Sequence, residues 1–147
     1  MRFFACVAIA FGLLCGSASA APAIVASDAW SRPAIGTGVV YVRIVNRGAT
    51  ADRLDAARST VARTVELHRS MDSSASMNGM KMSGVMSMER VSSVTIPAHG
   101  SVTLSPGGYH LMAIGLRHDL HANERFAVQL HFKAAGWMTV AVRVRPI

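Results

Sequence analysis

A chain of 147 residues that is 51% hydrophobic is long enough to close one domain around a core of its own. Its 15 basic and 8 acidic residues give a formal charge of +7, but the arginines are scattered from Arg32 to Arg145 without a run, which argues for a solvated basic face and against nucleic acid as a partner. The carboxylates form no acid/base motif, and no nucleophile elbow, phosphate loop or HExxH stretch is present, so nothing points to an enzyme.

Arg2 precedes an apolar run from Phe3 to Leu14 and a small-residue stretch ending in Ala18-Ser19-Ala20, the layout of a secretory signal peptide over residues 1–20 cut after Ala20. The run is shorter than the roughly 20 apolar residues of a membrane-spanning helix, and Leu14 fits poorly before a lipidated Cys15. The expected product is a soluble periplasmic monomer with no stable membrane span. Both cysteines, Cys6 and Cys15, fall in the removed segment, and with Arg2 gone the charge is about +6. Residues 21–147 therefore offer no disulfide, no thiolate zinc site and no cysteine-containing blue-copper site.

From Ala21 onward the pattern is of short β-branched runs between turn signals. Strands are expected at Val39 to Val45, Val61 to His68, Val85 to Val91, Val94 to Ile96, Val102 to Leu104, Tyr109 to Leu116, Phe126 to Phe132 and Met138 to Val144. Asn46-Arg47-Gly48, Pro97, Pro106-Gly107-Gly108, Asn123 and Gly136 punctuate them. Leu54 leads into a polar stretch. No window has a helical period, and the spacing predicts an all-β fold, one antiparallel β-sandwich of Greek-key type filling residues 21–147.

The chemistry gathers on three of these runs. Gly107-Gly108 opens the run Tyr109 to Leu116, in which His110 and Met112 alternate onto one face, with Ile114 and Leu116 continuing the row as its core-facing part. Met86 and Met88 share the same spacing, and His68 ends Val65-Glu66-Leu67. Imidazole and thioether without cysteine is a donor set that selects Cu(I) over hard cations. Thioethers also survive an oxidising compartment better than thiols. Between these runs, Ser70 to Ser87 holds Met71, Met77, Met80, Met82 and Met86 among serine, glycine and asparagine. It has too little bulky material to pack as an ordinary element and reads as a loop, at about residues 70–87, for auxiliary Cu(I) capture.

These residues carry a resemblance. The chain is similar to the periplasmic copper chaperone PCu(A)C family, whose signature is a His, a Met some ten residues on, and a His-x-Met after a further twenty-one. Met88 is followed after 21 residues by His110-Leu111-Met112. Ala29-Trp30-Ser31-Arg32-Pro33, Tyr41 to Asn46, Ala51 to Leu54, Val65 to His68 and Pro106 to Met112 match as well. The departure is that 19 residues separate His68 from Met88, the excess being the Met-rich insertion. Such an insertion costs only about 0.6 kcal/mol per doubling of loop length.

The resemblance implies a cupredoxin-like sandwich binding Cu(I) through His68, Met88, His110 and Met112 at one rim. Strand parity puts Met86 on the face of Met88 and makes it the first substitute, with Met82, Met80, Met77 and Met71 behind it. It also implies delivery of copper to cytochrome c oxidase, to one of its subunits or to another assembly factor, and a role in copper homeostasis. Storage or tolerance through the Met-rich loop is the alternative, and a copper redox enzyme a weaker one. His118 and His121, with Asp119 between them, form a surface pair of a type that can take Cu(II) or Zn(II) at an accessory site, but a solvent-exposed loop is the favoured reading and neither is assigned as a ligand. Trp30 and Trp137 are read as packing residues.

Overall fold

The computed structural model describes residues 23–73, 76–77, 80–81 and 85–146. The expected signal peptide and Met82 lie outside them. Twelve strands and no helix occur among the described residues, and so no helix there is long and apolar enough to cross a membrane. The strands are β1 (Ile24–Ser31), β2 (Thr37–Asn46), β3 (Asp52–Arg58), β4 (Ala62–Ser73), β5 (Ser76–Met77), β6 (Met80–Lys81), β7 (Val85–Arg90), β8 (Val94–Ile96), β9 (Ser101–Leu104), β10 (Tyr109–Leu116), β11 (Arg125–Phe132) and β12 (Gly136–Val144).

All eight expected strands are present, and three segments are corrected. β1 escaped the alternation rule because its register with β2 shifts between Ser27 and Trp30, where Asp28 adopts a φ of 52°. β3 reads as polar because Arg53, Asp55 and Arg58 face outward, while Leu54 is fully buried. The Met-rich stretch, expected as a loop, begins and ends as strand. β4 runs on to Ser73, paired with Val85 of β7, and β5 pairs with β6.

The main sheet runs β7-β4-β10-β2-β1-β12-β11-β3-β8, with β9 alongside β2. A bridge between Ala57 and Val65 joins β3 to β4 and so closes the sheet into a sandwich-like barrel. Every pairing is antiparallel except β1 with β12, where Trp30 lies beside Arg143. Inward residues of nine strands meet in one core that includes Ile44, Leu54, Ile96, Leu104, Leu111, Leu130 and Phe132. Each such side chain contributes about 1.5–3 kcal/mol on burial. The all-β sandwich expected from the spacing is the fold observed.

One face of β10 belongs to this core through Leu111 and Ala113. The row holding His110 and Met112 is therefore the other face, which corrects the expectation that the candidate ligands continue a core-facing row. At Gly115, with φ 65°, the alternation breaks, and Leu116 rejoins the core. Trp137 is corrected too. It is 47% exposed, with its ring 4.8 Å from His131 and the Arg58 guanidinium 4.1 Å above it.

Candidate metal centre

The centre is built outward from a turn. In Ser105-Pro106-Gly107-Gly108, Pro106 fixes the second position and Gly107 takes a φ of 79°, and the Gly108 N–H donates to the Ser105 carbonyl at 3.0 Å. This is type II turn chemistry, in which the third position needs a positive φ. The Gly108 carbonyl is thereby aimed across the sheet end. It accepts the Ser70 N–H at 3.1 Å, tying β4 to the start of β10, and it lies 3.1 Å from His110 Nδ1.

A carbonyl only accepts, so His110 Nδ1 carries the proton and Nε2 keeps its lone pair. His110 is 3% exposed. Its neighbour across the ladder is His68, and the two rings stack with centroids 6.0 Å apart at 29°. The Nε2 of His68 lies 3.1 Å from Glu66 Oε2, so Nε2–H is the donor there. Its Nδ1 is buried and has no hydrogen-bond partner among the described residues. Leaving such an atom unsatisfied costs about 1–3 kcal/mol. Each ring has one nitrogen anchored by an oxygen, and His68 keeps a buried nitrogen with no partner among the described residues, an arrangement suited to holding a metal.

Register places the two methionines on the same face. Met112 lies opposite Glu66, one row from the imidazole pair, and Met88 lies opposite Ser70, one row the other way. Residues two apart on a strand, or diagonal across it, are about 7–8 Å apart at the backbone, within reach of a long flexible thioether. Met88 is 58% exposed and Met112 half-buried. The four expected ligands thus share one face of β7, β4 and β10, at the end where β10 begins.

Of the other methionines, Met86 shares the face of Met88 by register, one row further from the imidazole pair. Met71 alternates to the opposite face from His68 and is exposed. Met86 stands opposite Asp72 in the ladder, and Met77 opposite Met80 in the small β5–β6 pair. Elsewhere, His131 Nδ1 is 2.6 Å from Asp55 Oδ1, and His118 Nδ1 is 3.7 Å from Glu124 Oε1. No cluster of three or more His, Cys, Asp or Glu side chains suited to a metal occurs among the described residues.

Sequence reasoning missed Glu66 and Arg90. Arg90 lies across the ladder from His68, with its Nε 3.7 Å from Glu66 Oε2. Period-two alternation from His68 back to Glu66 was the available signal.

Known proteins resemble this chain in family and fold. The LpqE-like family, described as a lipoprotein family, matches residues 24–144. The protein Lxx21020 of Leifsonia xyli subsp. xyli, named as a lipoprotein, is 31% identical over 121 residues, 81% of this chain and 68% of its own length. Among solved structures, the Cu(I) form of DR1885 from Deinococcus radiodurans is similar with a TM-score of 0.61 at 28% identity, over 88% of this chain and 83% of that one. The copper-bound PCuAC domain from PmoF2 is similar with a TM-score of 0.67 at 21% identity, over 87% and 97%.

Proposed function

The chain belongs to the LpqE-like family, and on that premise we propose that it is an exported copper chaperone whose cargo is Cu(I), held by His68, Met88, His110 and Met112. The observation that carries this reading is the stacked imidazole pair, with a buried His68 Nδ1 that has no partner among the described residues, flanked on the same face by two thioethers. Two solved relatives of the same fold are copper forms, one of them with Cu(I), which supports the choice of ion. Export rests on the signal-peptide layout of residues 1–20 and on the lipoprotein name of its relative.

The mechanism follows from the donors. Four neutral ligands hold a soft monovalent ion without the charge that thiolates would add, so the site binds Cu(I) and yields it to a cysteine-containing acceptor by ligand exchange. Met88, the most exposed of the four, is the first to give way to an incoming thiolate. The acceptor on this reading is a copper-site protein of cytochrome c oxidase or one of its assembly factors. The protein catalyses no reaction of its own. The Met-rich insertion captures ions and passes them to the rim site.

Anaerobic Cu(I) titration tests this. One tight ion per chain is expected, lost in the His110→Ala plus Met112→Ala variant. It is kept when residues 74–84 are replaced by Asn-Gly, a two-residue turn that suits the register partners Ser73 and Val85. Several equivalent ions per chain, abolished by the loop replacement, would make the protein a methionine-based copper store instead.

A further inference from the structure

The two imidazoles are anchored by different nitrogens. His110 is held at Nδ1 by the Gly108 carbonyl, and His68 at Nε2 by the Glu66 carboxylate. We infer that Glu66, steadied by Arg90, is a positioning residue that fixes His68 as the Nε2–H tautomer, so that His68 meets Cu(I) through Nδ1 while His110 meets it through Nε2. This rests on the copper reading above and deepens it, because it concerns which atom of each ligand faces the ion and what holds it there.

Three observations converge. Glu66 Oε2 accepts from His68 at 3.1 Å, and a carboxylate cannot donate back, so only one neutral tautomer satisfies the contact. The nitrogen left over is the one buried without a partner, so no described residue competes for Nδ1. Finally, Arg90 Nε stands 3.7 Å from the same Oε2, across the ladder from His68. The carboxylate side chain is 20% exposed and that of Arg90 70%, so the arginine approaches Glu66 from the solvent side. Alternation along β4 makes the arrangement possible, since Glu66 and His68 are two residues apart on one face. The reach is short. A carboxylate two residues back meets the distal Nε2 of a ring that turns its Nδ1 inward.

The opposed use of nitrogens has a consequence for release. The ion is held through the proximal nitrogen of His68, close to the backbone of β4, and through the distal nitrogen of His110. The His68 side of the centre is therefore the rigid one, and the two methionines are the movable donors.

The test is nitrogen-resolved NMR of the histidine rings in the full-length exported chain, before and after anaerobic addition of Cu(I). Without metal, His68 should show a protonated Nε2 and a bare Nδ1, and His110 the reverse. With Cu(I), the Nδ1 resonance of His68 and the Nε2 resonance of His110 should be the ones that shift. Glu66→Leu should leave His68 as a mixture of tautomers and weaken Cu(I) binding about 10- to 100-fold, the usual effect of losing an outer-shell partner. Glu66→Gln, which retains an accepting oxygen, should restore the tautomer and most of the affinity. An unchanged backbone amide spectrum would show that the fold is intact. If Cu(I) shifts Nε2 of His68 instead, or if Glu66→Leu leaves the tautomer untouched, the inference is overturned while the copper site stands. If neither imidazole responds to Cu(I), the copper reading itself falls and the inference with it.

Discussion

Asp52 shows how one side chain fixes a distant hairpin, and it makes the clearest pH prediction. Its carboxylate accepts from the N–H groups of Ala134 at 2.8 Å and Ala135 at 3.0 Å in the β11–β12 connection, and from Arg53 at 2.7 Å. Burial pushes its pKa up, but the three backbone donors, with His131 nearby, outweigh burial and hold it below the ordinary carboxylate value. A lowered folded-state pKa stabilises the fold fully above the unfolded value, about 3.9, and the gain disappears as pH falls through the folded value. Asp52→Ala should therefore cost about 1–3 kcal/mol at neutral pH, since it orphans N–H groups. The gap between variant and parent should narrow below about pH 4. Urea melts at pH 7 and pH 3 measure it, and a gap that is equal at both would show that the carboxylate's charge contributes nothing.

At the scale of elements, the turn before β10 links backbone conformation to the proposed metal centre. A Cβ at Gly107 would meet nothing within 4 Å, so the penalty of Gly107→Ala comes from its φ of 79° alone. That penalty is about 1–2 kcal/mol for an L-residue in the left-handed region. The Gly108 carbonyl that this turn aims also anchors His110, so the same variant should lower Cu(I) affinity, whereas Gly136→Ala, strained to the same degree at φ 77° but remote on β12, should not. Paired thermal melts and Cu(I) titrations separate the two effects. This turn and the alternation of His110 and Met112 were legible in the sequence, because Pro-Gly chemistry and period two are local. What was not legible depended on partners far along the chain. β3 is a strand because Leu54 and its neighbours pair with β11 and β8, and its own composition conceals that. The ladder β4–β7 extends into a Ser-Met segment because strand pairing satisfies its backbone regardless of side-chain bulk. The inner face of β10 was misassigned because alternation reveals two faces without saying which is buried.

For the whole molecule, the decisive point is that core and centre are separate. Leu111, Leu67 and Val65 bury one face of β10 and β4, and His110, His68 and Glu66 occupy the other. The closed sheet is therefore expected to fold without the proposed Cu(I) cargo, unlike small domains whose only core is the metal. Cargo then acts by linkage: an ion bound only to the folded state adds RT ln(1 + [L]/Kd), about 2.7 kcal/mol at a hundredfold excess over Kd. At roughly 4 °C per kcal/mol, that is a rise of about 10 °C in Tm. Calorimetry with and without Cu(I) should show a single transition in both cases, shifted upward with the ion. The His110→Ala plus Met112→Ala variant should keep a folded apo transition and lose the shift. An apo chain with no cooperative transition would mean that the metal face holds the fold together, and the division of β4 and β10 into a core side and a cargo side would be wrong.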